Sequence, residues 1–323
     1  MAEPPLRYLS TAQLDRCLPG VEERLELAAA ALSALAAGTA EMPPKIGVHP
    51  RPEALLHAMP AWLRDRDVVG LKWIAAFPGN RSRGLPAING LVVLNDPDTG
   101  LPTWLMDAAR ITAVRTAAVS GVAIRLFRPQ HVERVAILGA GVQARSHIEV
   151  VSAMLPDAEL LIYDRHPERA ETLAAVAREG GRAASVATSA RHATGAAQVV
   201  ISVATLGSSS QVMRPEWLAP GTLVVAVDFA TYASAELARD VQHFVVDDRD
   251  QFLAYREAGY FDGYPEPSAT MGELLNSGSP AEVEPASLPA LVTHLGVGLA
   301  DVIFADAIRR SAEELGEGIE LVR

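Results

Sequence analysis

Residues 135–151 read VAILGAGVQARSHIEVV: a branched apolar run, two glycines one residue apart, then a stretch with helical spacing. Few local patterns restrict a fold so tightly. Gly139 allows the tight turn that leaves the strand, Gly141 leaves room for a diphosphate to approach the backbone, and Ala144 takes the third place, where helix and strand pack closely. The helix that follows offers its unpaired N–H groups and the positive end of its dipole to phosphate. An ordinary tight turn would share this spelling, so the flanks decide. The pattern follows the clear strand VERVAILGA, and twenty residues beyond Ala144 a second strand, ELLIYD, ends in Asp164, where an acid accepts the ribose hydroxyls of a dinucleotide. Arg165 and Arg169 stand next to it as partners for a 2′-phosphate. The joint pattern predicts NAD or NADP as cofactor, with NAD favoured by Asp164.

Beyond this motif strands and helices alternate: QARSHIEVVSAML, AELLIYD, ERAETLAAVAREGG, then the short apolar runs AQVVISVAT, TLVVAVDFA and HFVVDD. Such alternation predicts an α/β fold with a parallel sheet covered on both faces. Upstream the texture differs. The first forty residues carry helical periodicity, in VEERLELAAAALSALAAG above all. Prolines and glycines then punctuate β-rich runs at 68–77, 87–96 and 101–106, with DPDTG as a hairpin turn, which predicts an antiparallel sheet. A helix is expected over 111–127 and another over VGLADVIFADAIRRSAEELG at the C-terminal end. At 323 residues and 49% hydrophobic content, two cores are expected.

Composition excludes several classes of partner. A formal net charge of -11 argues against nucleic acid, which wants a basic face. One cysteine, Cys17, leaves no intramolecular disulfide framework and no multi-cysteine metal site. No secretory signal pattern and no membrane-length apolar window is present, so the expectation is a soluble, cytoplasmic protein.

Three basic residues and one acid stand out. Lys72 lies inside VVGLKWIAAF, where a buried ammonium must find an anion or lose its charge; the plainer alternative is an edge-strand lysine that reaches water. Arg115 sits among small residues in ITAVRTAAVSG, near Thr112, Thr116 and Ser120, and can grip a carboxylate with two parallel hydrogen bonds; the alternative is a solvated surface arginine. Lys45 occupies a proline-fixed turn, MPPKIGV. Asp228 ends a strand of the parallel sheet, where ligands collect, or else caps the segment after it. His147, just inside the phosphate-binding helix, reads as a packing or capping residue. Tyr260, Asp262 and Tyr264 carry no assignable role.

Taken together, MPPK, GLKW, GLPAINGLVVLNDPDTGLP, MDAARITAVRTAAVSGVA, ILGAGVQARSH and HLGVGLADV, in order from about residue 42 to 303, resemble the ornithine cyclodeaminase/mu-crystallin family. The resemblance implies a substrate and dimerisation domain of α+β type over 1–126, completed by 300–323, and a Rossmann dinucleotide-binding domain over 127–299. It implies that Lys72 faces the substrate near the nicotinamide, that Arg115 binds the substrate carboxylate and that Lys45 fills a second carboxylate-binding place, where many relatives have arginine. Gly139, Ala140, Gly141, Val142 and Gln143 would cradle the diphosphate and Asp164, beside Arg165, the ribose. Thr116, Ala204, Val227 and His294 would complete the dinucleotide site. A homodimer acting on a small amino or imino acid is the implied assembly and partner.

The family divides by chemistry, and one departure bears on the choice. Aligning AVDFATYASAEL on Glu236 and Leu237, the place of the cyclodeaminase base falls on Ala230 and that of a nearby lysine on Ser234. An aspartate appears two positions earlier, at Asp228; within a strand that shift keeps the face but moves the side chain by roughly 6.6 Å. An ω-amine needs a proton acceptor before it attacks an imine carbon. The expected activity is therefore an NAD(P)-dependent amino acid dehydrogenase or ketimine reductase working on a C–N bond. The alternatives are an ornithine or lysine cyclodeaminase and a non-catalytic NADPH-dependent binding protein like mu-crystallin.

Overall fold

The computed structural model describes residues 5–204, 210–278 and 289–322. The chain divides into two compact units, residues 1–115 with 296–323, and residues 116–295.

The first unit begins with β1 (Leu6–Leu9), α1 (Thr11–Arg16) and α2 (Val21–Ala37), followed by β2 (Ala40–Glu41), β3 (Ile46–Arg51), β4 (Ala54–Leu63), β5 (Val68–Ala76), β6 (Ile88–Asn95) and β7 (Pro102–Asp107). The helical expectation for the first forty residues missed β1, four residues too short to show a period, which pairs parallel to β7. Ser10 caps α1 through a reciprocal capping box with Gln13, and Gly38 ends α2 in the left-handed conformation. α3 (Ala108–Phe127) begins three residues before the expected start, because the Asp107 carboxylate accepts the Arg110 N–H at 2.8 Å and caps it. The chain leaves the first unit within this helix, after Arg115.

The second unit alternates strands and helices: β8 (Arg134–Leu138), α4 (Val142–Met154), β9 (Glu159–Tyr163), α5 (Pro167–Glu179), β10 (Ala184–Val186), α6 (Ala190–Gly195), β11 (Val199–Ser202), β12 (Leu223–Ala226), α7 (Ala235–Asp240), β13 (His243–Val246), α8 (Arg249–Glu257), β14 (Ala269–Thr270), α9 (Met271–Ser277) and β15 (Ala290–Thr293). Its sheet runs in the order β10-β9-β8-β11-β12-β15-β13-β14, and every pairing among the described residues is parallel. β11, β12 and β15 are buried along their whole length, as strands covered on both faces must be. This is the expected Rossmann-type α/β arrangement. The strand order reverses between β8 and β11, which opens the crevice where such sheets bind ligands. In the segment after α8, Phe261 and Tyr264 are buried among Phe244 and Phe252, and the Tyr264 hydroxyl donates to the Ala233 carbonyl at 2.7 Å.

The chain then returns to the first unit with α10 (Gly298–Leu315) and β16 (Ile319–Leu321), giving the sheet order β16-β1-β7-β6-β5-β4-β2, with β3 on β4. The central strands pair antiparallel, Met59 opposite Lys72 and Lys72 opposite Val92. Side chains alternate between two faces. Met59, Ala61, Lys72, Ile74, Val92 and Leu94 are buried on one, which α10 covers: Gly298 lies so close to Met59 that an added Cβ would sit 3.1 Å from its backbone oxygen. Trp73 and Leu91, opposite each other on the other face, are 40% and 39% exposed.

Candidate functional site

β5 is an interior strand, so Lys72 cannot reach water at a sheet edge; it is 1% exposed, which overturns the edge-lysine alternative. Its Nζ lies 2.6 Å from Oδ2 of Asp301 on α10 and 3.5 Å from Oγ1 of Thr112. Arg115, 4% exposed, is no surface arginine either. Its Nε donates to Oδ1 of the same Asp301 at 3.0 Å. One fully buried carboxylate therefore holds two buried cations. Burial pushes the Lys72 ammonium down from 10.5 to about 7; Asp301 opposes the shift, while Arg115 and Lys45 add to it. Asp301 escaped the sequence reading, because the first eleven residues of α10 are all buried and leave no polar stripe to set an inward acid apart.

The Arg115 guanidinium is held in a fixed place. Gly296, at φ +86°, packs against it so closely that a Cβ there would stand 2.7 Å from both Nη1 and Nη2. Nη1 is buried and has no hydrogen-bond partner among the described residues. A buried donor without an acceptor is costly. It is the natural place for a ligand carboxylate. Lys45, half-buried just before β3, is near enough to act on the charge of Lys72.

In the second unit the glycine turn has the form expected of a phosphate cradle. Gly139 adopts φ +114°, and a Cβ there would stand 2.8 Å from the Val203 carbonyl oxygen. At Gly141 a Cβ would meet nothing within 4 Å, and the residue precedes α4 without a side-chain cap. The first turn of α4 therefore keeps unpaired N–H groups for an anion. Ala140 and Gln143 are partly buried and Val142 is 70% exposed; Ala144 is fully buried where the helix meets the sheet. Asp164 lies at the end of β9 as expected, but it also ties the turn together: its Oδ2 accepts the Ala140 N–H and its Oδ1 the His166 N–H, each at 2.9 Å. Arg165 is exposed beside it. These residues fit a dinucleotide, with a carboxylate at the ribose end and open space at the phosphates.

Ala204 follows β11, Val227 follows β12 and His294 follows β15, all at the carboxyl ends of the central strands. Thr116 is buried on α3. His147, set aside in the sequence as packing or capping, belongs to a buried relay. Its Nδ1 donates to the Gln143 carbonyl at 2.7 Å, and burial lowers the imidazole to about 4, so it is neutral. Its Nε2 must then accept from Ser120 Oγ at 2.8 Å, which leaves that oxygen to accept from His294 Nε2 at 2.8 Å. The relay fixes the His294 tautomer and anchors the first turn of α4.

Asp228 differs from its expected setting. β12 ends at Ala226, so Asp228 lies beyond the strand and the strand-based comparison with position 230 does not apply; the next residue, Phe229, turns the chain with φ +58°. The Asp228 carboxylate accepts from Ser202 Oγ at 3.0 Å and from the Ala204 N–H at 3.3 Å. Burial raises it to about 7, against the pull of Ser202, Ala204, its own N–H and that of Tyr232. It joins the end of β11 to the turn after β12. Ala230, at the place of the cyclodeaminase base, is 1% exposed in an apolar cluster, and the Ser234 hydroxyl caps α7 by accepting the Leu237 N–H at 3.0 Å.

The family model for the ornithine cyclodeaminase/mu-crystallin family matches residues 15–314. The chain belongs to this family. Nodulation efficiency protein NfeD of Rhizobium meliloti is 38% identical to it over 316 residues, 97% of this chain and 98% of that protein. Among solved structures, Thermococcus litoralis Δ1-pyrroline-2-carboxylate reductase in complex with NADH and L-proline superimposes with a TM-score of 0.88 at 27% identity, covering 98% of this chain and all of that one. An archaeal alanine dehydrogenase dimer with bound NAD gives a TM-score of 0.86 at 26% identity, covering 98% and 99%. The resemblance read from the motifs thus holds for family and fold. Among the described residues no helix is long and apolar enough to cross a membrane.

Proposed function

We propose that the protein is an NAD(P)-dependent oxidoreductase that acts on the C–N bond of a small 2-amino or 2-imino acid. The observation that carries this reading is the buried Lys72–Asp301–Arg115 cluster with its unanswered Arg115 Nη1. A carboxylate on Nη1 satisfies that donor and sets the substrate beside Lys72. An ammonium near 7 is poised for proton transfer at neutral pH. In the oxidative direction the Lys72 free base takes a proton from the substrate ammonium, so that the nitrogen lone pair can form the C=N bond as the hydride departs; in the reductive direction the Lys72 ammonium protonates the product nitrogen. Asp301 keeps the ammonium form accessible. Nicotinamide, when bound, accepts or supplies the hydride.

Several finer assignments go with this reading. The cradle of Gly139 to Gln143 holds the diphosphate, Asp164 accepts the ribose hydroxyls and so favours NAD over NADP, and Thr116, Ala204, Val227 and His294 line the remainder. Residues 1–126 with 300–323 serve the substrate and the dimer, and 127–299 the cofactor. Lys45 assists with the carboxylate, and Asp228 holds the turn after β12. The cyclodeaminase alternative is disfavoured, because Ala230 and Ser234 have structural duties in place of the base and the lysine.

The test is a panel of 2-amino acids with NAD or NADP, and of 2-imino acids with the reduced forms, followed at the reduced-nicotinamide absorbance band. We expect turnover with at least one substrate in one direction, faster with NAD(H). No change with any substrate in either direction overturns the reading.

A further inference from the structure

The face of the first sheet that carries Lys72 bears more basic groups than one substrate carboxylate requires. β3 pairs antiparallel with β4, Gly47 opposite His57, and β4 with β5, His57 opposite Ile74 and Met59 opposite Lys72. Opposed residues share a face, as do residues two apart on one strand. Gly47, His57 on β4 and Lys72 on β5 therefore share a face, and Lys45 and His49, on either side of Gly47, are near enough to act on the charge of His57. His57 is the diagonal neighbour of Lys72, roughly 7–8 Å away.

Gly47 is what lets His57 lie flat there. A Cβ at position 47 would meet the imidazole Cδ2 at once, so the ring rests across the glycine backbone. The groups grade outward, from buried Lys72 through half-buried His57 and Lys45 to exposed His49. Asp301 serves Lys72 and Arg115 with both its oxygens. Burial, with Lys45, His49 and Lys72 adding their repulsion, lowers the His57 imidazole to about 4. Gathering basic groups at such a cost is understandable where an anion is meant to arrive.

We infer that His57, with His49 beside it, forms a second anion subsite that receives a carboxylate on the substrate side chain, making the preferred substrate a short amino or imino dicarboxylic acid. The inference rests on the proposed oxidoreductase site, because Arg115 Nη1 takes the first carboxylate. The two ends of a short diacid then lie on Arg115 and His57, with the reacting carbon and nitrogen beside Lys72.

The test uses binding, so that it does not depend on turnover. The full-length protein saturated with NADH is titrated calorimetrically with succinate and glutarate and with butyrate and valerate, unreactive acids of matching length. We expect each diacid to bind at least tenfold more tightly than its monoacid partner. His57→Leu should bring the ratio within threefold while leaving butyrate binding unchanged, and His57→Gln, which keeps an N–H donor, should retain an intermediate preference. Equal binding of diacid and monoacid to the native protein, or a preference that survives both substitutions, overturns the subsite. Diacid selectivity that depends on His57 in a protein with no redox activity supports the subsite and overturns the oxidoreductase reading. Turnover of monocarboxylic amino acids with no diacid preference does the reverse.

Discussion

Asp301 is the residue on which the proposed chemistry turns, and its removal separates two effects. Replacing it with Asn takes the anion from two buried cations, which should lower stability by roughly 3–5 kcal/mol. It should also let the Lys72 pKa fall further, because the adjacent carboxylate is what opposes the lowering by burial. Oxidation of an amino acid needs Lys72 as free base, so kcat/KM should rise with pH through about 7 in the native enzyme. In Asp301→Asn the rise should move to lower pH; a profile unchanged in position would show that Lys72 is not the titrating base. The same shift has a stability consequence. The folded-state pKa lies below the ordinary 10.5, so the unfolded chain binds more protons between about 7 and 10.5, and this group favours folding increasingly as pH rises across that window. Urea unfolding of native protein and Lys72→Met should diverge in slope against pH over that range. Lys72 and Arg115 were visible in the sequence as basic residues in apolar company. Their shared partner was not, since its helix is apolar all round where the acid sits.

The strand–turn–helix at Gly139 is legible in the sequence because its glycines answer to local sterics. The two nevertheless do different jobs. Gly139→Ala places a methyl 2.8 Å from the Val203 carbonyl in a backbone with φ +114°, so it should cost about 1–3 kcal/mol and loosen the ends of β8 and β11. Gly141→Ala meets open space and precedes the helix, so its thermal unfolding should stay close to native. Its methyl would occupy the open space that the proposed cradle offers a diphosphate. NADH fluorescence titration should therefore show at least tenfold weaker binding for both variants, with a stability loss only in Gly139→Ala; undiminished NADH affinity in Gly141→Ala would remove the cradle assignment. The turn after β12 was not legible in this way. The run TLVVAVDFA reads as one strand, yet the strand ends at Ala226. Phe229 is apolar for another reason: it stacks against Phe261 and meets Tyr255 and Tyr260, so the hydrophobic signal continued where the strand did not. Asp228 reads as a strand end for that reason, while the alternative reading, a cap on the following segment, agrees with the N–H of Tyr232 on its carboxylate.

At the scale of the molecule, the alternation of strands and helices announced the parallel sheet, and the resemblance of motifs announced the family. Which face of the first sheet meets water could not be read, because both faces carry apolar residues. The structure separates them. The face opposite Lys72 presents Ile46 and Val48 from β3, Leu56 and Ala58 from β4, Leu71 and Trp73 from β5, and Leu91 and Val93 from β6, in register across four strands. Ile46 is 68% exposed, Val48 57% and Trp73 40%. A contiguous exposed apolar face of this kind marks an association surface. The dimer proposed for this chain would seat a second copy of it on this face. In a two-fold pair each copy lends the same patch, so a single charge introduced there enters the interface twice. Trp73→Glu should raise the dimer dissociation constant at least tenfold, about 1.4 kcal/mol. Because Trp73 points away from Lys72 in the strand pleat, the substitution should spare the fold of the monomer. Light scattering on the eluting peak reads the outcome: native protein at twice the chain mass and Trp73→Glu shifting toward the chain mass on dilution. A native protein that runs as a monomer, or a variant that stays dimeric, would mean that this face is covered by something other than its own copy.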